Sequence, residues 1–514
     1  MSTIRDRILQ VIVAGVEKLR KDFDEQTGRF LSGGGWAVTN QDVIYPLALL
    51  YRTAHPANPY HASEAILDLI GRAGNALRDA QYEDGSWEFV KVDGSRWGPV
   101  YMPWTLYHWI EAYRLVGDRL DTATRERWLT GLRLGFEGVY RELEPFRVHN
   151  IPTWNAMSLW RAGSILGERR WQERGLNCIQ QAAAAQRPAG FWPEHEGATT
   201  LYNLVYVHAI GLFHCFTGME SLRECLRRAL EFHLTFTYPD GVPVETIDGR
   251  VKYTGDVNLS GFPGFSLFPE GRRYIGFLLD HYRGGGSVSP HLAAAYEHLV
   301  EGEETPIPQD AESYVRTLED KALVKKSGDW FYCLSAVTAP APASRWGMDR
   351  SHFLSLFHRK VGLMVGGGNS KGQPVWSNFN FLGDYIPVGA EFEGDSLRLR
   401  YARGEGCVSL SIQSNELASI ELRHKGDGTS GLLLHFQPDE PVLVNGTPQA
   451  SCDVPGPALV EHRGWRVRVP EGARLAYPIR PFNPYARDGA APPGQVAAIL
   501  SSWADRVAVG LEVA

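Results

Sequence analysis

One change of period, close to residue 320, constrains this chain more than any other feature. Before it, apolar residues recur at i, i+3, i+4 and i+7, the spacing that gives a helix one buried face. Eleven stretches fit: 4–19, 42–51, 63–80, 103–116, 123–140, 153–166, 169–185, 200–216, 219–234, 273–282 and 290–301. After it, apolar residues alternate, the spacing of a half-buried strand. Strands are predicted over 331–337, 352–357, 361–365, 397–401, 408–412, 419–423, 431–436 and 465–469, with 506–513 as a last one. Glycine turns separate them, including 366–368, which reads as a hairpin turn. At 514 residues the chain is too long for one core. Two domains are expected: helical over 1–305, then an antiparallel β-sandwich over 320–514.

The helical part repeats itself. Gly33–Trp36 reads GGGW, Gln81–Trp87 reads QYEDGSW, Gln186–Trp192 reads QRPAGFW, and 238–242 reads YPDGV. In two of these loops a Gln closes one helix, a Gly turns the chain, and a Trp returns to the core. Helical hairpins repeating every 40–50 residues or so stack into a ring, so an (α/α) toroid of six hairpins, or an incomplete one, is expected. The loop at Gln81–Trp87 also resembles the Q-W repeat of terpene cyclases, but no DxDD acid motif accompanies it, and the loop is read as structural.

Composition removes several classes of function. A net charge of −7 argues against nucleic acid, which needs a broad basic surface. No uncharged apolar run of about 18 residues is present, so no membrane span is expected. The six cysteines form no CxxC pair and no zinc-finger spacing, and read as buried thiols. Residues 1–21 read as a charged amphipathic helix, not a signal peptide, which favours the cytoplasm; a leader already removed leaves the periplasm or secretion open. The 15 Trp and 21 Tyr mostly fill cores, but such rings also line sugar clefts.

The densest polar and aromatic region is HNIPTWN at 149–155 with GFWPEHEGATTLYNLVYVH at 190–208. Pro152 suits a first helical turn, which puts His149 and Asn150 just before the helix. Tyr202 and Tyr206 lie one turn apart on the next inner helix. An α/α toroid followed by a β-sandwich, with this constellation, resembles the toroid polysaccharide lyases of the heparinase II/III and alginate lyase type. That resemblance implies a His or Asn before an inner helix and a catalytic Tyr some 50–55 residues on, after a glycine loop. His149, Asn150, the 190–197 loop and Tyr202 match it. Ala189 stands where the family has Asp, and 351–358 does not reproduce its H-x-H-x-D segment, so no metal or other cofactor is expected, with a structural divalent ion left open.

The resemblance implies β-elimination on a uronic-acid-containing glycan. Tyr202 is then the acid, or both acid and base, with His149 the candidate base, Asn150 the group that neutralises the substrate carboxylate, and Tyr206 a substitute for Tyr202. Trp87, Trp192, Glu194, His195, Arg250 and Tyr253, with Lys252 beside them, are the substrate-binding candidates. The partner is an acidic oligo- or polysaccharide, and a homodimer is left open. His208 and His214 read as packed, and His352 and His358, on or beside a strand, as weak candidates for reaching into the cleft. Two other readings remain. A glycoside hydrolase would use paired carboxylates, best Glu194 with Glu196. A non-catalytic carbohydrate-binding protein would keep the aromatic cleft alone.

Overall fold

The computed structural model describes residues 3–31, 39–91, 94–195 and 197–514; the GGGW loop at 33–36 and Glu196 lie outside them. The chain folds as an α/α toroid and an antiparallel β-sandwich, in two compact units that interleave in sequence. The first unit is 1–186, 202–230 and 258–306; the second is 187–201, 231–257 and 307–514. The contiguous 1–305 expected from the periodicity includes 187–201 and 231–257, which belong to the second unit.

Twelve helices are described: α1 (Ile4–Lys21), α2 (Ile44–Arg52), α3 (Glu64–Ala80), α4 (Pro103–Val116), α5 (Thr122–Glu142), α6 (Asn150–Leu166), α7 (Arg169–Ala184), α8 (Thr200–Thr217), α9 (Arg223–Thr235), α10 (Phe262–Phe265), α11 (Pro269–His281) and α12 (Pro290–His298). Local signals set their ends. Thr3 caps α1 in a capping box with Asp6, Asp121 caps α5, and Pro103 starts α4. None of the described helices is long and apolar enough to cross a membrane. All six cysteines are free thiols.

The inner helices close a ring. α2 packs on α4 and α4 on α6. Trp154 and Trp160 of α6 stack on His208 and Phe216 of α8. His208 and Phe216 of α8 meet His291 and His298 of α12, and the Tyr45 hydroxyl of α2 donates to Glu297 of α12. Outside this ring α3 packs on α2, and α7 on α6. The repeated loops work as the sequence suggested. Gln81 Nε2 donates to the carbonyls of Gly85 (2.8 Å) and Gly131 (3.0 Å), and Gln186 Nε2 donates to that of Cys225 (2.8 Å). Each Gln thus ties its own turn to a neighbouring hairpin. Gln81→Leu would remove the side-chain donor from both carbonyls, and is expected to lower stability by about 1–2 kcal/mol, read from the denaturant midpoint.

In the second unit, two antiparallel sheets share one core. One has ten strands, from Cys452–Pro455 at one edge through Thr429–Leu434, Gly362–Val365, Leu354–His358 and Trp330–Ser335 to Ser313–Leu318. The other has nine, with Leu417–Lys425 and Arg506–Val513 paired at its centre. Alternate residues such as Ile420, Leu422, Val507, Val509 and Leu511 enter the core between the sheets, as the period-two pattern requires. The strand Trp330–Ser335 is buried on both faces. Its second face is covered by Phe236, Tyr238, Val242, Val244 and Ile247, which is why 231–257 belongs to this unit. The glycines at 366–368 do not form the expected hairpin. All three have positive φ (112°, 122° and 100°), and run against the 245–253 segment so closely that a Cβ on Gly366 would stand 2.7 Å from Glu245 Oε1.

Candidate functional site

In the first unit the site is built from the starts of inner helices. α6 begins at Asn150, so Asn150 is its first helical residue and not a residue before it; Pro152 occupies the third position, where no N–H is required. His149 is the N-cap residue, extended (φ −155°, ψ 164°), and its imidazole makes no capping bond. Its carbonyl instead accepts from the Thr153 N–H (3.0 Å) and hydroxyl (2.8 Å). Asn150 is buried and His149 half-buried. Tyr202, half-buried, lies in the first turn of α8; Tyr206, one turn on, is wholly buried.

Side-chain stacking fixes how α6 and α8 run. Trp154 meets His208, and six residues further Trp160 meets Phe213, so residue numbers rise together and the helices are parallel. Counting back from Trp154 and His208, His149 falls level with position 203. His149 and Tyr202 therefore differ in height by about one residue, or roughly 1.5 Å along the axes. The start of α6 also places the positive end of its dipole at this level.

Below it, toward the middle of the ring, lies a group the sequence did not single out. Trp104 and Trp154 stack (centroids 5.6 Å apart, 13° between planes), and Trp154 stacks on His208 (5.5 Å). His208 and His291 are 4.7 Å apart, and His108 Nδ1 is 3.3 Å from Asp42 Oδ2. A cavity of about 390 Å³ opens here, lined by Asp42, Trp104, His108 and His291 among others. Burial pushes His208 well below its ordinary pKa and His291 down to about 3, so both rings are neutral at neutral pH. His208 Nδ1 accepts from the Gly261 N–H (3.0 Å), while among the described residues no group hydrogen-bonds its Nε2 or His291 Nδ1. The floor of the ring is thus aromatic, with neutral imidazoles that can both give and accept hydrogen bonds. These residues sit far apart in sequence, and only a helix-by-helix alignment of inner first turns would have grouped them.

In the second unit, the loop before α8 is held by buried charge. Asp248 accepts from Thr200 N–H (2.6 Å) and hydroxyl (3.1 Å), and from the N–H groups of Arg250 (2.7 Å) and Val251 (2.9 Å). Burial raises its pKa against these bonds. Arg350 donates to the carbonyls of Ile247 (2.7 Å) and Ala198 (2.9 Å). It passes so close to Gly197 that a Cβ there would stand 2.0 Å from its Nη2. Glu194 is wholly buried and 3.5 Å from Arg250 Nη1. His195, half-buried, occupies a left-handed conformation at the loop's tip (φ 48°). Arg250 is buried, and Tyr253 is half-buried with its hydroxyl on Asp240 Oδ2 (3.2 Å).

Three sequence-based assignments change. Trp87 and Trp192 are wholly buried and offer no ring to a sugar; Trp87 Nε1 donates to the Leu77 carbonyl (2.9 Å). Tyr206 is equally buried, which removes it as a substitute for Tyr202. Glu194 is committed to Arg250, and its suggested partner Glu196 lies outside the described residues. Half-buried Trp104 lines the cavity, an indole that the sequence reading did not single out.

Glu245 is a further buried acid in this unit. It accepts from Gly367 N–H (2.8 Å) and the Tyr238 hydroxyl (2.9 Å), yet burial pushes its pKa from 4.5 up to about 7. Between these two pH values the folded state keeps a proton that the unfolded state has lost, so stability falls as pH rises from 4.5 to 7, by roughly 3 kcal/mol from this group. Glu245→Gln is expected to flatten that slope, measured as the wild-type minus variant difference in unfolding free energy across pH.

No family model matches the chain, and no curated protein matches it in sequence. Solved structures do match in fold. The chondroitin AC lyase of Streptomyces coelicolor A3, in complex with chondroitin sulphate, aligns over 99% of this chain and 79% of its own, at 11% identity and a TM-score of 0.55. A heparinase III aligns over 91% and 75%, at 13% identity and 0.52. A second heparinase III aligns over 98% and 85%, at 13% identity and 0.52. At such identity the likeness establishes the fold, which is that of toroid polysaccharide lyases.

Proposed function

We propose that this protein is a polysaccharide or oligosaccharide lyase, cleaving a uronic-acid-containing glycan by β-elimination. The observation that carries the reading is the register of α6 and α8, which sets His149 and Asn150 level with Tyr202 at one end of the toroid. Fold neighbours that are lyases, one of them in complex with chondroitin sulphate, support it.

The chemistry follows from these groups. The C5 proton of a uronate is weakly acidic until its carboxylate is neutralised. The Asn150 amide, with the dipole of α6 behind it, hydrogen-bonds that carboxylate and stabilises the charge that develops as C5 loses its proton. His149 takes the proton. The C4–O bond breaks, a C4=C5 double bond forms, and Tyr202 delivers a proton to the departing oxygen. No water is consumed, and the proposed steps use side chains alone. Trp104, half-buried at the cavity, stacks on the apolar face of the sugar.

The test is ultraviolet absorbance of a conjugated unsaturated uronate during incubation with a panel of acidic glycans. A rise supports elimination. New reducing ends without a rise would mean hydrolysis and overturn the reading.

A further inference from the structure

A second cleft, of about 530 Å³, is lined entirely by residues of the second unit, among them Lys252, Tyr253, His435, Phe482 and Tyr485. Its wall carries a cation in an unusual position. Lys252 Nζ donates to the Phe482 carbonyl (3.0 Å) and stands 3.9 Å from the Met348 sulfur. Among the described residues no carboxylate pairs with it, and burial alone acts on its pKa, bringing it down to about 8. At neutral pH it is still charged.

The other groups lining the cleft do not offset that charge. Arg250 already faces Glu194 (3.5 Å). Burial holds His435 neutral, at about 4. Tyr253 gives its hydroxyl to Asp240 (3.2 Å). Asp439 is exposed at the rim. The backbone around Lys252 is fixed. Tyr253 N–H donates to the Gly367 carbonyl (3.1 Å), Trp376 Nε1 to that of Gly368 (2.8 Å), and a Cβ on Gly368 would stand 3.0 Å from Lys252 Cα. A desolvated ammonium without a counter-ion is costly, and it is tolerated where a ligand supplies the opposite charge. Half-buried Phe482 and Tyr253 and exposed Tyr485 provide ring surface beside it.

We propose that this cleft binds the carboxylate or sulfate group of an acidic saccharide, with the Lys252 ammonium as its counter-ion and the neighbouring rings against the sugar. The inference rests on the lyase reading only in taking a saccharide as the carrier of the anion.

Reductive methylation of the full chain, followed by mass spectrometry, reads Lys252 directly. The probes are glucuronate, glucose 6-sulfate and glucose. Glucuronate or glucose 6-sulfate is expected to slow methylation of Lys252 at least fivefold, and glucose to leave it unchanged. Protection by only one anion identifies carboxylate or sulfate as the group bound. In calorimetry, Lys252→Arg is expected to keep affinity for the protecting probe within threefold and Lys252→Met to lose it more than tenfold. Equal methylation with all three probes, or with none added, overturns the site. Protection without any elimination activity would overturn the lyase reading and leave the anion site standing.

Discussion

Tyr202→Phe is expected to lower kcat for elimination by roughly 10²- to 10⁴-fold, with KM changed less than about threefold. The substitution removes one oxygen and keeps the ring, so substrate contacts made by the ring survive while the proton for the leaving oxygen is lost. Tyr202 is half-buried in the first turn of α8, level with His149, whereas Tyr206 is enclosed by the core and cannot take over. His149→Ala is expected to lose a similar factor, and the double variant little more, because acid and base serve one step. The assay is the absorbance rise on whichever glycan the wild type cleaves, at matched protein concentration, with circular dichroism confirming the fold. A Tyr202→Phe protein that retains full kcat would take the acid role from Tyr202. Attention would then turn to His149 as both base and acid.

Much of the helical framework was legible in the sequence, for local reasons. Pro103 at the first position of α4, and apolar residues spaced along one face, marked Pro103–Val116 without error. α6 starts three residues before the predicted 153, because the apolar spacing shows only after Pro152, while proline is tolerated anywhere in a first turn. What could not be read was which core a segment enters. Phe236, Tyr238, Val242, Val244 and Ile247 are plainly apolar, but nothing in their spacing says that they cover a sheet whose strands begin some 80 residues later. The same limit explains Trp87 and Trp192. Their identity fits sugar stacking and core packing equally, and burial decides for packing. His208 reads as packed on an apolar helix, and nothing in the local sequence singles out His108 or His291. Ring closure brings them together, and that is a property of the fold and not of any one helix.

The largest effect on stability is expected from Glu111, which holds four inner helices together. Its carboxylate, wholly buried in α4, accepts from Arg161 of α6 and from Arg114 Nε (2.5 Å). Arg114 Nη2 reaches on to Glu297 of α12 (2.6 and 2.7 Å), which also accepts from the Tyr45 hydroxyl of α2 (2.6 Å). Burial raises the pKa of Glu111, but Arg161 and Arg114 outweigh it and hold the carboxyl below its ordinary 4.5. Its contribution is therefore present above pH 4.5 and is lost as pH falls below it. Glu111→Ala leaves the half-buried Arg161 and Arg114 without their shared carboxylate and opens a hole beside them. A loss of about 3–5 kcal/mol is expected, read as a fall in the denaturant midpoint at pH 7. Replacing the pair together, as Glu111→Leu with Arg161→Met, is expected to recover most of that loss, because no charge is then stranded and the volume is kept. If the double replacement is as unstable as Glu111→Ala, the network stabilises through more than the removal of stranded charge. If Glu111→Ala itself costs under 1 kcal/mol, the closure of the inner ring rests on its aromatic stacks, Trp154 on His208 and Trp160 on Phe216, and not on this carboxylate.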